Sequence, residues 1–128
     1  MTARWARHGV PALLGAAAVA AGALTAVAAT APQTKRVGNA GNEFAFTPKV
    51  LRATPGRVRI VFTNSGAVEH DVAVRGGRLK APRRGRLAGP GGRSVVSFRA
   101  LPAGRYTYYC TVPGHEAAGM RGRLLVRR

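Results

Sequence analysis

Near its C-terminus the chain reads YYCTVPGHEAAGM, which places its only cysteine, Cys110, ahead of His115 and Met120 with four residues in each gap. A second histidine, His70, stands upstream in NSGAVEHDVAV. Each residue type alone has an ordinary use: a lone cysteine is often an inert, buried small hydrophobe, and a lone methionine fills a core. As a set they are a thiolate, two imidazoles and a thioether, the donors of a copper site that transfers single electrons. Thiolate is soft and charge-donating, imidazole suits Cu(I) and Cu(II) alike, and a long thioether interacts weakly while tuning the potential. A site that suits both oxidation states needs little rearrangement when an electron arrives or leaves.

The rest of the chain must bring these four residues together. Residues 1–31 read MTARWARHGVPALLGAAAVAAGALTAVAATA. Arg4 and Arg7 precede an uncharged apolar run, and Ala26-Val27-Ala28 closes it as a cleavage site would, so residues 1–28 are expected to be a secretory signal. The run is also about 20 residues long, enough for an uncleaved anchor helix, and both readings place the domain outside the cytoplasm. His8 goes with this leader, leaving His70 and His115. Disulfides are permitted in such a compartment, yet Cys110 has no partner in its own chain. An intermolecular disulfide, a free thiol, a modification and a metal bond are the open uses for it.

Residues 29–42 carry few large apolar side chains and read as a tether that joins the fold near Val37. From Glu43 onward the pattern has the period of strands. Phe44 and Phe46 alternate with polar residues, and Lys49–Ala53 is a second short segment. Val58, Ile60 and Phe62 share one face of RVRIVFTN, while parity sets His70 with Val68, Val72 and Val74. SVVSFRAL, RYTYYCTV and GRLLVRR follow, with Tyr106, Tyr108 and Cys110 on one face. Residues 75–93 interrupt this with dense Gly and Pro and seven basic residues, and read as a long solvated loop. Short strands at regular spacing between Gly and Pro turns predict an all-β, antiparallel sandwich of about seven to eight strands over residues 43–128. Its last loop would carry Cys110, His115 and Met120, and a remote strand His70.

At these motifs the sequence resembles a known family. NSGAVEHDVAV and LPAGRYTYYCTVPGHEAAGMRGRLLV are similar to the cupredoxins of plastocyanin and azurin type. The resemblance spans residues from about 37 to 128 and implies a Greek-key sandwich with one type 1 copper ion. It also implies His70, Cys110 and His115 as equatorial ligands and Met120 as the axial one. The TVPG gap resembles azurin and the EAAG gap plastocyanin, so the loop is of mixed type. By the same resemblance the amides of Val112 and Asp71 are expected to donate to the cysteine sulfur. Asp71 stands where an asparagine is common, which leaves the role of its side chain open. The resemblance further implies that His115 reaches the surface through an apolar patch, here Pro113, Gly114, Ala117 and Ala118.

Composition narrows the alternatives. The chain has 21 Lys and Arg against four Asp and Glu, a formal charge of +17. Such a surface attracts anionic partners: an acidic redox protein, or anionic lipid or cell-wall polymer at the basic 75–93 segment. Two of the four acids, Glu69 and Glu116, flank the candidate histidines; they are either simply solvated or offset the positive surroundings. Nucleic acid is not expected, because no base-stacking platform interleaved with arginine is visible. Oxidases and reductases with several copper centres need more histidines, and a Cys–His hydrolase needs an orienting third group. The expectation is therefore a monomeric, exported electron shuttle that is not an enzyme. An extracytoplasmic copper-binding or copper-delivery protein is the alternative.

Overall fold

The structure, a computed structural model, describes residues 30–39 and 41–128 together with Gly22. Apart from Gly22 the leader expected over residues 1–28 lies outside the described residues, among which no helix is long and apolar enough to cross a membrane. Eight strands form: β1 (Gln33–Gly38), β2 (Val50–Ala53), β3 (Gly56–Thr63), β4 (Ala73–Gly76), β5 (Arg83–Arg84), β6 (Arg93–Leu101), β7 (Gly104–Tyr109) and β8 (Arg121–Val126). One sheet has the order β1-β3-β6 and the other β2-β8-β7-β4-β5. This is the all-β sandwich read from the strand periods.

Alternation explains why the longer strands pack as they do. In β3, Val58, Ile60 and Phe62 are fully buried, whereas Arg57 and Arg59 are exposed. In β8, Leu124 and Val126 point inward while Arg121 and Arg123 point out. Each inward side chain gains about 1.5–3 kcal/mol from leaving water, and an arginine on that face would have to bury its charge. Phe46 joins the two layers, with its ring centroid 5.3 Å from Phe62 of one sheet and 5.3 Å from Tyr108 of the other.

Several expectations need correction. Residues 33–38 are not tether: they pair with β3 along its length, so the sandwich begins before Glu43. Only Val37 of that strand is buried, and its partner Phe62 lies on a distant segment, which leaves almost no local signal. The sandwich is also not wholly antiparallel, since β1–β3 and β2–β8 are parallel pairs. Glu43–Thr47 is a turn in which only Thr47 bridges Gly38; Phe46 is buried and Phe44 is 37% exposed, so they share no face. Likewise Val68 is exposed and does not join His70, Val72 and Val74 inside.

The segment 75–93 is more ordered than a solvated loop. β5 pairs with β4, Leu79 packs on the core, and Ala88 is buried where it bridges His70. That bridge matters for the site. The His70 amide donates to the Ala88 carbonyl at 3.0 Å and the Ala88 amide returns the bond at 2.8 Å. The buried Asn64 side chain donates to the carbonyls of Val68 at 2.8 Å and Ala88 at 2.9 Å. His70 is thus fixed by backbone bonds although it lies outside any strand.

Candidate metal centre

The expected ligand loop leaves β7 at Tyr109 and enters β8 at Arg121. Its shape is set by backbone bonds: Cys110 N–H to Met120 C=O at 3.1 Å, Met120 N–H to His115 C=O at 3.0 Å, and His115 N–H to Val112 C=O at 3.1 Å. Gly114 and Gly119 hold φ of 82° and 114°, values that side chains with a Cβ rarely adopt. These two glycines let a short loop turn twice and return Met120 beneath Cys110.

The result gathers three donors from two segments. His115 Nδ1 lies 3.1 Å from His70 Nδ1, and Cys110 Sγ lies 3.6 Å from His115 Nδ1 and 3.9 Å from His70 Nδ1. The circle through atoms at those separations has a radius of about 2.1 Å, within the span of ordinary metal–imidazole and metal–thiolate bonds. His70, Cys110 and Met120 are buried and His115 is half-buried. A soft thiolate, two imidazoles aimed at one point and a thioether on the same loop fit a copper ion. Thus His70, Cys110 and His115 are brought together at one end of the sandwich, and the backbone of Met120 is bonded beside them to Cys110 and His115.

The protonation chemistry suits metal capture. Burial pushes the Cys110 thiol up, opposed by amide donation from Asp71 and Val112 to its sulfur. These are the two amides expected by resemblance. Without a cation nearby the thiol therefore keeps its proton, and binding a metal expels it. Burial, with the neighbouring His70, lowers His115 and keeps the ring neutral and its lone pair free.

Surrounding polar residues hold these groups in place, and most of them escape sequence reasoning. The buried Asp71 carboxylate accepts the Thr111 amide at 2.7 Å and its hydroxyl at 2.5 Å. The side chain left open by resemblance thus clamps the residue after Cys110. Arg75 of β4 donates to Glu116 through both guanidinium nitrogens, one at 2.8 Å, and lies 4.1 Å over the Tyr109 ring. That pair depresses the Glu116 carboxyl and ties the ligand loop to β4. Phe44 stands edge-on to both imidazoles, 4.9 Å from His115 and 6.1 Å from His70. Glu43 Oε1 lies 2.6 Å from His70 Nε2. One signal could have led to the acidic partners: only four acids occur in the chain, Glu43 meets His70, Asp71 meets Thr111 beside Cys110, and Glu116 directly follows His115 and pairs with Arg75. Glu69 is exposed.

Fold and donor set together define a copper-binding sandwich, and residues 33–127 match the model of copper binding proteins, plastocyanin/azurin family. The chain belongs to that family. It is 34% identical over 122 residues to auracyanin-A of Chloroflexus aurantiacus, covering 74% of this chain and 75% of that protein. The solved structure of auracyanin A, described as a "blue" copper protein from that green thermophilic photosynthetic bacterium, superposes with a TM-score of 0.64. Its identity is 31%, over 76% of this chain and all of that one. Auracyanin B gives a TM-score of 0.66 at 26% identity, covering 77% and 92% of the two chains.

Proposed function

We propose that this protein is an exported one-electron carrier in which His70, Cys110, His115 and Met120 would hold a single copper ion. The observation that carries the reading is the triangle of Nδ1, Nδ1 and Sγ atoms, closed to 3.1–3.9 Å. The bound ion supplies the one-electron couple. The chain supplies a cradle whose amide and side-chain bonds resist reshaping, which keeps the reorganisation accompanying each transfer small.

His115 is the half-buried ligand, beside exposed Pro113, Gly114, Ala117 and Ala118. Electrons pass through its exposed edge to a partner that approaches closely over these small residues. The strongly basic surface favours a partner with an acidic docking face, and the association weakens steeply as salt is added. The leader pattern of residues 1–28 supports a carrier that works outside the cytoplasm.

Electron carriage is favoured over copper delivery by the burial of His70, Cys110 and Met120; a donor of metal exposes its ligands to the acceptor. The two are separated by mixing the copper-loaded protein with a Cu(I) chelator and, separately, with a one-electron reductant and oxidant. A carrier cycles reversibly and keeps its copper. Rapid loss of Cu(I) to the chelator without reversible cycling would favour delivery.

A further inference from the structure

Glu43 lies far from the ligands in sequence and belongs to a turn rather than to any strand. Its carboxylate nevertheless sits in a built receptacle. Oε2 accepts the Ala67 amide at 2.8 Å, and Oε1 accepts the Val68 amide at 3.3 Å and meets His70 Nε2 at 2.6 Å. Asn39 knits the two turns together, accepting the Ser65 amide at 2.9 Å while its own amide reaches the Glu43 carbonyl at 3.5 Å. Gly66 completes the receptacle: a Cβ there would overlap the Glu43 carboxylate. Both carboxyl oxygens are thus used as acceptors of backbone amides, the arrangement of an ionised carboxylate.

An anion accepts hydrogen bonds and cannot donate them. The bond at Nε2 therefore places the proton of a neutral His70 on that nitrogen and leaves Nδ1, which faces Cys110 and His115, with its lone pair. A carboxylate behind a ligand imidazole fixes the ring's tautomer and angle and raises its basicity. Its negative charge also favours the more positive oxidation state of the metal.

We infer that Glu43 is a positioning residue for the metal centre, which orients His70 as an Nδ1 donor and biases the bound copper toward Cu(II). The inference rests on the ligand assignment proposed above, and its test separates the two.

The reduction potential of the copper-loaded full-length chain is measured for the wild type, Glu43→Gln, Gly66→Ala and Glu69→Gln. Glu43→Gln removes the charge and keeps the shape. Gly66→Ala keeps the charge but displaces the carboxylate. Glu69→Gln removes one exposed negative charge next to His70 in sequence, as a control. Glu43→Gln is expected to raise the Cu(I)-to-Cu(II) affinity ratio about tenfold, an upward shift of about 59 mV for one electron. Gly66→Ala is expected to shift in the same direction, and Glu69→Gln by less than a third as much. Equal shifts for Glu43→Gln and Glu69→Gln, or none for Glu43→Gln, would overturn the inference. Should either receptacle variant fail to load, nitrogen NMR of the metal-free wild type and of Glu43→Ala decides: His70 protonated at Nε2 in the wild type, with that preference lost in Glu43→Ala, supports the inference, and a wild-type ring protonated at Nδ1 or a tautomer unchanged in Glu43→Ala refutes it. A wild type without a thiolate–copper spectrum sinks the ligand assignment instead, and the same NMR comparison still judges the Glu43–His70 pairing.

Discussion

The two ends of this sandwich are held by different physics. Through the body, β3, β6 and β8 bury Val58, Ile60, Val96, Leu124 and Val126 and expose arginines on alternate positions. Burial of this kind has no direction, and such cores tolerate changes of shape at modest cost. At the metal end the buried residues include Asn39, Asn64, His70 and Asp71, each engaged by hydrogen bonds of defined geometry. Directional contacts hold atoms in place more than they add stability, because each exchanges a bond to water for one within the protein. The body therefore supplies most of the free energy of folding, and the metal end spends part of it on keeping three donor atoms on a small circle.

That division can be broken by substitutions that should sort cleanly. The largest loss of stability is expected for Ile60→Ala in the body, about 2–5 kcal/mol in denaturant unfolding. The visible band and the potential of the surviving folded protein should stay unchanged. Asp71→Ala should cost less, about 1–3 kcal/mol, because it strips the Thr111 amide and hydroxyl of their acceptor. In contrast to Ile60→Ala, it should alter the copper spectrum, since Thr111 directly follows Cys110. A purely structural effect of Asp71, with the spectrum untouched, would erase the distinction between the two ends.

Met120→Leu sharpens the comparison from the other side. The swap keeps volume and apolarity, so stability should change by less than about 1.5 kcal/mol. If Met120 is the weak donor proposed, its loss leaves a lower-coordinate and more apolar site, which favours Cu(I) over Cu(II). Electrochemistry should then record a raised potential while the intense colour persists. The smallest effect concerns Tyr108, a buried body residue whose hydroxyl donates to the Pro48 carbonyl. Burial pushes its pKa up to about 12, so the folded state holds a proton that the unfolded state releases near 10. Its contribution is complete below pH 10 and is lost as pH rises through about 12. Tyr108→Phe should flatten that alkaline fall in melting temperature.

The same division governs what could be read from the sequence. Body strands announce themselves by period two: Val58, Ile60 and Phe62, or Tyr106, Tyr108 and Cys110, lie inward as parity predicts. The candidate ligands stood out because thiolate, imidazole and thioether form a rare combination at those spacings. The bonds that hold them were not. Glu43 meets His70 across 27 residues, and Arg75 meets Glu116 across 41, and neither separation leaves a periodic trace. Phe44 shows how the method errs: it fits an alternating strand, yet it stays partly exposed to cover the imidazoles. β1 was missed for a related reason, since its pairing with β3 is made by backbone atoms that most residues could supply.

The central claim is that the Cys110 sulfur binds copper together with His70 and His115. The most direct test is the visible and EPR spectrum of the full-length chain loaded with Cu(II), taken beside Cys110→Ser. An intense visible band and an EPR signal unlike that of a tetragonal site are expected, and both should vanish in Cys110→Ser while circular dichroism still reports the sandwich. A pale protein with an ordinary tetragonal spectrum, the same with and without the thiol, would contradict the account.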